Sequence, residues 1–286
     1  MKNEGRSFRN RSLEACPSGS HDLGASMNGF ATDSRARVHS DSKRTWMKYE
    51  RAQRTVGCSR LLRRLTIGVF ARLELLILSG HKSRETLARL KRCRTEAESL
   101  LTGNEAFLLY SLARAQRGLN GAMAELGVYQ GSSAQIICEA KENRPLYLFD
   151  TFAGLPEPEV NESRMLKTGQ FSASLSSVQK VLRAYDDVGF YPGEFPKSAV
   201  GMPPTRFSFV HLDADLYSST LAGLEYFYPR MLPGGIILAH DYSTLPGVAR
   251  AFSEFLGKRR ATEVIELPTT QAMIVVRDPK DSGLSS

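Results

Sequence analysis

Two short motifs in the last third of the chain concentrate acidic and imidazole side chains. The first reads His211-Leu-Asp213-Ala-Asp215, and the second ends in His240 and Asp241. Asp213 and Asp215 are two residues apart, so on an extended chain their side chains point to the same side. An apolar run of strand length precedes each motif, and parallel sheets bind ligands where their strands end.

Three of these acids, Asp213, Asp215 and Asp241, are therefore expected to face one cleft. Buried carboxylates without a partner are unfavourable, so the cluster needs a cation, a proton or a basic side chain. The residues predict a site for a metal or for proton transfer. A network that only caps helices is the alternative.

A turn that contains two glycines follows the first apolar run of the C-terminal two-thirds. Its sequence ELGVYQGSS provides candidate cofactor contacts at Glu125, Gly127, Tyr129, Gly131 and Ser132. The glycines permit a sharp turn and a close approach of the backbone to a ligand, and the N-terminus of the next helix offers free N–H groups to an anion. The spacing is not GxGxxG, which argues against a nicotinamide cofactor. Any strand-to-helix turn can also require glycines.

An acid ends the second apolar run about twenty residues further on. Asp150, followed by Thr151 and Phe152, stands where an acid accepts hydrogen bonds from both hydroxyls of a ribose. A turn or helix cap is the alternative role. Together with the glycine turn, Asp150 predicts a ligand that carries adenosine.

Apolar runs that alternate with helical segments are expected to position these residues. The strand-like runs are AMAEL, LYLF, VGFY, FSFVHL and GGIILAH, and helices are predicted around Ser133–Lys141, Leu175–Tyr185, Thr220–Met231 and Val248–Gly257. Apolar strands that are each followed by a helix indicate a parallel sheet covered on both faces. Two closing runs, EVIEL and AMIVV, are joined by a link too short for a parallel crossover, so they should pair antiparallel. A further helix, capped by Gly103 and Asn104, should precede the first strand.

This layout predicts an α/β fold of the class I methyltransferase (Rossmann-like) type. The expected sheet has seven strands, mostly parallel with an antiparallel last strand, and helices on both faces. The predicted domains are a disordered basic arm over 1–45, a basic helical extension over 46–102 and the cofactor-binding domain over 103–286. The polar segment 157–167 is predicted to be a mobile lid, with surface disorder as the alternative.

The positive charge of the chain belongs to its N-terminal third. Residues 1–100 contain 21 Lys and Arg against 10 Asp and Glu, whereas the remainder contains 17 against 20. No zinc-finger spacing, interleaved aromatics or RNA-binding signature accompanies the arginines, so we do not expect a nucleic-acid partner. The extension could contribute to a lid, to a homo-oligomer contact, or to neither.

The sequence favours a cytoplasmic protein without a transmembrane segment. Its four cysteines are far apart and form no CxxC pair. Residues 1–45 lack the apolar core of a secretory signal. The most apolar N-terminal stretch, Leu61–Leu78, is interrupted by four charged residues and is expected to be an amphipathic helix that rests on the domain or, less favourably, on an anionic membrane.

The segments ELGVYQG, DTFAGLP, GQFSASLSSV, HLDADLYSST, PGG and HDY, in this order, resemble the macrocin O-methyltransferase family. The resemblance covers about Gly103 to Arg277, and DTFAGLP with LDADLYSST carries most of its specificity. It implies an S-adenosylmethionine-dependent enzyme that methylates sugar hydroxyls of macrolide and aminocoumarin natural products.

The resemblance also implies a divalent metal, usually magnesium. Asp213 and Asp241 match metal ligands of the family, and Asp215 matches its general base. The chain departs from the pattern at His240, where better-known members have Asp. Imidazole suits magnesium poorly, so the alternatives are fewer protein ligands, a softer metal such as manganese, loss of the metal, or a neutral His240 that only hydrogen-bonds beside the substrate.

The expected chemistry is methyl transfer to a hydroxyl oxygen that loses its proton to Asp215, a contribution of roughly 10²–10⁴-fold. Three other interpretations stay open at this point. The acceptor could be a phenol or catechol, the sheet could serve a dehydrogenase, or the chain could bind S-adenosylmethionine without catalysis.

Overall fold

A computed structural model describes residues 60–159, 162, 166–257 and 263–277 of the chain, with side chains from residue 67 onwards. The predicted disordered arm over 1–45 lies outside these residues. The helices are α1 (Arg60–Leu78), α2 (Arg84–Glu96), α3 (Gly103–Gln116), α4 (Ser132–Lys141), α5 (Leu175–Leu182), α6 (Tyr217–Phe227) and α7 (Pro246–Gly257). The strands are β1 (Ala122–Leu126), β2 (Leu146–Asp150), β3 (Val188–Pro192), β4 (Phe207–Leu212), β5 (Met231–Ala239), β6 (Ile265–Glu266) and β7 (Ala272–Val275).

The seven strands form one sheet in the order β3-β2-β1-β4-β5-β7-β6. Strands β1 to β5 are mutually parallel. Strand β7 pairs antiparallel with both β5 and β6. The predicted fold class is confirmed, including the antiparallel pairing of the two closing strands.

Both faces of the sheet are buried because its strands are apolar on both sides. On one face, strand residues such as Met123, Leu148 and Phe209 pack with α1 to α5. On the other face, Leu126 and Phe149 belong to a core with residues of α6 and α7. This double burial explains why the strands read as continuous apolar runs.

Two predicted boundaries were wrong. Gly103 and Asn104 do not cap α3; the cap is Thr102, whose side chain accepts from the Glu105 N–H while the Glu105 side chain accepts from the Thr102 N–H. This is a capping box, T-x-x-E. The helix predicted over Thr220–Met231 ends as an α-helix at Phe227, and β5 begins at Met231, because a short 3-10 turn with Pro229 follows the helix.

The N-terminal helices pack on the same core as the sheet. Leu75 and Leu78 of α1 and Leu87 and Leu90 of α2 are buried in it. The opposite side of α1 is apolar yet exposed, for example at Leu76, where the exposed fraction is 66%. Within the described part of the chain, no helix combines the length and apolar character needed to cross a membrane.

Candidate active site

A cavity of about 420 Å³ opens at the carboxyl ends of the parallel strands. This volume lies within the range of roughly 300–1,000 Å³ typical of small-molecule sites. Nine of the predicted site residues line it: Gly127, Tyr129, Ser132, Asp150, Thr151, Asp213, Asp215, His240 and Asp241. The two motif regions and the glycine turn therefore converge on one cavity.

The N-terminal helices supply one wall of this cavity. Ile67 of α1, residues 98–102 and Glu105 of α3 all line it. The Tyr129 hydroxyl donates to Glu98 at 2.9 Å, and the Gln130 amide donates to the same carboxylate at 3.0 Å. The segment between α2 and α3 is thus fixed to the glycine turn.

The glycine turn is shaped by its protein neighbours. At Gly127, where φ is +87°, an added Cβ would lie 2.0 Å from the carbonyl oxygen of Asp213. At Gly131, an added Cβ would meet Val178 at 3.1 Å. Approach to a ligand, the expected reason for these glycines, is therefore not the whole explanation. Gly127 also permits the turn after β1 to pass close to the end of β4.

Asp150 is already engaged by the backbone around it. Its Oδ2 accepts from the N–H groups of Val128 at 2.6 Å and Tyr129 at 3.0 Å, and its Oδ1 accepts from Phe152 at 2.7 Å. The carboxylate thus fixes the glycine turn while it lines the cavity. A carboxylate has about four acceptor positions, so its predicted contact with a ribose stays a prediction.

Three predicted cofactor contacts lie away from the cavity wall. Gly131 is the N-cap of α4, and Phe152 packs against the core. Glu125 is fully buried in β1, with its Oε1 2.8 Å from His211 Nδ1 on the neighbouring strand. Burial raises the pKa of Glu125. The pair is buried inside the sheet, and neither residue lines the cavity.

Thr151 follows Asp150 and shapes the next turn. Its hydroxyl donates to the carbonyl of Gly154 at 2.6 Å and accepts from the N–H of Ala153 at 3.1 Å. The side chain therefore stabilises a turn at the edge of the cavity.

His240 lies between the two predicted metal ligands. Its Nδ1 is 3.1 Å from Asp213 Oδ1 and 3.1 Å from Asp241 Oδ2. One ligating atom from each of the three residues lies within 4.8 Å of the others. The parallel pairing of β4 with β5 brings these residues together, because the N–H of His240 donates to the carbonyl of Leu212.

The charges in this cluster are strongly coupled. Burial disfavours a charged imidazole, but the carboxylates of Asp213 and Asp241 outweigh it and raise the pKa of His240 well above its ordinary value. Burial likewise opposes ionisation of Asp213, yet the nearby His240 lowers the pKa of that carboxyl. A positive charge between the carboxylates is therefore favoured, whether it comes from a proton or from a cation.

Asp215 lines the same cavity but not for the expected reason. Strand β4 ends at Leu212, so Asp213 and Asp215 do not alternate along an extended strand. Asp215 instead has a φ of +59°, and Asp241 has a φ of +54°. Such left-handed conformations are uncommon for residues other than glycine and cluster at ligand sites.

Glu105 is a site residue that the sequence interpretation missed. It is 2% exposed, lines the cavity, and its Oε2 lies 3.6 Å from His240 Nε2. The T-x-x-E pattern at Thr102 could have revealed its capping role. Its position beside His240 depends on a contact between α3 and β5 that no local pattern predicts.

The donor set fits a divalent transition metal better than magnesium. Two carboxylates with one imidazole form a mixed oxygen and nitrogen set, whereas magnesium prefers oxygen. Both nitrogens of His240 are buried and without a hydrogen-bond partner among the described residues. A buried imidazole without a hydrogen-bond partner beside two carboxylates is compatible with a bound cation and equally with a proton on His240.

The predicted lid is only partly described. Residues 160, 161 and 163–165 of the segment 157–167 lie outside the described residues. The side chain of Glu162 accepts from the Tyr217 N–H at the start of α6. Mobility of this segment stays a prediction.

The sheet order and the site at its carboxyl edge define the class I methyltransferase fold. The solved structure of the O-methyltransferase NovP has the same fold: it superposes with a TM-score of 0.56 and 20% identity, over 76% of this chain and 100% of that one. The family model described as macrocin-O-methyltransferase (TylF) matches residues 111–273. The chain belongs to this family, which confirms the resemblance seen in its motifs.

Two curated relatives come from Streptomyces. The 8-demethyl-8-(2,3-dimethoxy-alpha-L-rhamnosyl)-tetracenomycin-C 4'-O-methyltransferase of Streptomyces olivaceus is 32% identical over an alignment of 142 residues that covers 44% of this chain and 54% of that protein. The demethyldecarbamoylnovobiocin O-methyltransferase of Streptomyces niveus is 27% identical over an alignment of 154 residues that covers 48% of this chain and 59% of that protein. The chain thus spans a little more than half the length of these relatives.

Proposed function

We propose that the protein is an S-adenosylmethionine-dependent O-methyltransferase that acts on a sugar hydroxyl of a glycosylated natural product. The observation that carries the proposal is the convergence of Asp213, Asp215 and Asp241 on a cavity that also contains Asp150 and the glycine turn. Membership of the macrocin-O-methyltransferase family supports the reaction. The names of both curated relatives support a glycosylated acceptor.

The glycine turn and Asp150 would bind the methyl donor. The N-terminus of α4, capped by Gly131, presents N–H groups beside Ser132, which lines the cavity. Such a helix end suits the carboxylate of a bound amino-acid moiety. The remaining acceptor capacity of Asp150 would serve the ribose hydroxyls.

Asp215 would act as general base. The acceptor hydroxyl oxygen forms a bond to the methyl carbon as the carbon–sulfur bond breaks, the sulfur keeps that electron pair, and the hydroxyl proton moves to the Asp215 carboxylate. The products are the methyl ether and S-adenosylhomocysteine. Asp215 is well placed because it lines the same cavity as the acid cluster.

Asp213, Asp241 and His240 would hold a divalent metal. When bound there, such an ion lowers the pKa of a hydroxyl near it and fixes its orientation. Without an ion, the same carboxylates orient the acceptor by accepting hydrogen bonds from its hydroxyls. The N-terminal wall would exclude water from the acceptor.

The test combines binding with turnover. Calorimetric titration of the full chain should show binding of S-adenosylhomocysteine and none of NAD. A panel of rhamnosylated, other glycosylated and catechol acceptors, with manganese, magnesium or chelator, should give methyl transfer to a sugar hydroxyl. Exclusive methylation of catechols would overturn the acceptor, and NAD binding would overturn the reaction class.

A further inference from the structure

We propose that Glu105 is a positioning residue that presents His240 to a divalent metal held with Asp213 and Asp241. The inference rests on the proposed function, in which those three residues are the ligands, and adds the residue that orients one of them. Glu105 lies outside the residues that the family model matches.

The orientation of the His240 ring is the first observation. Its Nδ1 faces the two carboxylates, and its Nε2 faces Glu105 at 3.6 Å. A neutral histidine carries its proton on one ring nitrogen only. Without an ion, the two carboxylates near Nδ1 attract the proton to that nitrogen. With a divalent ion held by Asp213 and Asp241, the Nδ1 lone pair would face the ion, and the remaining N–H would be on Nε2, toward Glu105. Metal-binding histidines are commonly held in this way by a carboxylate.

The contact geometry of Nδ1 is the second observation. Adjacent ligands of a six-coordinate ion with bonds near 2.1 Å lie about 3.0 Å apart, close to the 3.1 Å seen to Asp213 and to Asp241. An imidazolium that bridges by hydrogen bonding would aim its N–H at a carboxylate. Neither contact has hydrogen-bond geometry, since Nδ1 is without a partner among the described residues.

The fixation of Glu105 is the third observation. Its Oε2 accepts from the Thr102 N–H at 2.8 Å, and its Oε1 accepts from the Thr270 hydroxyl at 2.6 Å. Two elements therefore fix this carboxylate, the start of α3 and the loop between β6 and β7. A carboxylate so constrained can hold a neighbouring ring in one orientation.

The first experiment measures metal binding without any acceptor. Titration of the full chain with Mn²⁺, followed by the electron paramagnetic resonance signal of the free ion, should show one site that binds Mn²⁺ more tightly than Mg²⁺. Glu105→Gln should weaken Mn²⁺ binding by about 10- to 100-fold, the usual effect of losing such a supporting carboxylate. Glutamine at this position still completes the capping box, so the helix start is preserved.

A matched control lies one residue away. The backbone N–H and the side-chain amide of Asn104 donate to Glu74 of α1 at 3.1 and 3.0 Å. Asn104→Ala removes the side-chain hydrogen bond from the same helix turn and should leave the affinity for Mn²⁺ unchanged. Equal weakening by Asn104→Ala and Glu105→Gln would overturn the proposal in favour of a general loss of structure.

A double-mutant cycle tests whether Glu105 acts through His240. In the His240→Asp background, Glu105 faces a carboxylate, so Glu105→Gln should leave Mn²⁺ binding unchanged or strengthen it. Weakening of the same size in both backgrounds would overturn the proposal. If Glu105→Gln does not fold, Glu105→Asp, which shortens the reach of the carboxylate, must show the same dependence on His240.

Spectroscopy separates this inference from the proposed function. The spin-echo signal of bound Mn²⁺ should show coupling to an imidazole nitrogen, and His240→Asp should remove it. Absence of that coupling, or of Mn²⁺ binding, overturns the inference even where methyl transfer is observed. If bound Mn²⁺ shows coupling to nitrogen and Glu105→Gln weakens its binding, the inference holds even if no acceptor is methylated.

Discussion

The two halves of the cavity differ in how far their polar groups are hydrogen-bonded. Around the glycine turn, Asp150 accepts hydrogen bonds from three backbone N–H groups. Around the ends of β4 and β5, both nitrogens of His240 are buried without a hydrogen-bond partner among the described residues. Satisfied polar groups build a scaffold, whereas buried polar groups without a partner require an explanation such as a water, a proton or an ion. Substitutions at the ends of β4 and β5 should therefore mainly reduce turnover, whereas substitutions around the glycine turn should mainly reduce stability.

The largest effect is expected on turnover, from a substitution near the ends of β4 and β5. Asp215→Asn removes the proposed base, so turnover should fall by about 10²–10⁴-fold. The affinity for S-adenosylhomocysteine, measured by calorimetry, should not change, because the amide keeps the size of the side chain. A variant that retains turnover would remove Asp215 from this role.

The next largest effect is expected on stability, from a substitution in the glycine turn. Gly127→Ala places a methyl group against the Asp213 carbonyl in a left-handed conformation, which should lower the free energy of unfolding by about 2–4 kcal/mol. Denaturant unfolding measures it. Gly201→Ala is the control, since it has φ of +84° with open space around its Cβ. Equal losses in the two variants would show that the close approach to Asp213 does not matter.

A smaller effect is expected at Asp150. Asp150→Asn weakens the charge-assisted hydrogen bonds to the turn, and it should destabilise the fold by about 1–3 kcal/mol. Binding of S-adenosylhomocysteine should weaken as well, because the turn that shapes its pocket relaxes. Thermal unfolding and calorimetry on the same sample distinguish the two. Weaker binding of S-adenosylhomocysteine with unchanged stability would mean that Asp150 contacts the ligand rather than stabilises the turn.

The smallest effect is expected where the N-terminal wall meets the turn. Tyr129→Phe removes the hydroxyl that donates to Glu98, a loss of about 0.5–1.5 kcal/mol. Thermal unfolding should show a small decrease in midpoint. An unchanged midpoint would mean that this hydrogen bond does not contribute to stability.

Periodicity and motif order were sufficient for the fold. Apolar runs gave β1 to β5 and the closing antiparallel pair, because sheets buried on both faces leave that pattern in the sequence. The boundary at Met231 was missed because an apolar residue after a helix reads as part of it. The cap at Thr102 was missed although the T-x-x-E pattern was present.

The site was predictable mainly where residues lie at the ends of strands or in the turns that follow them. Asp213, Asp215, His240 and Asp241 do so, and all line the cavity. Glu125 sits inside β1 rather than after it, so its carboxylate is buried against His211. Glu105 reaches the site through helix packing across more than a hundred residues, which a single sequence does not encode in any local signal.

The wall formed by Ile67 and residues 98–102 lies outside the part of the chain that the family model matches. It precedes residue 111, where that match begins. Its side chains line the same cavity as the acids at the strand ends but come from a separate part of the chain. Exchange of residues 98–102 alone would therefore test whether this wall selects the acceptor while the acids at the ends of β4 and β5 stay in place.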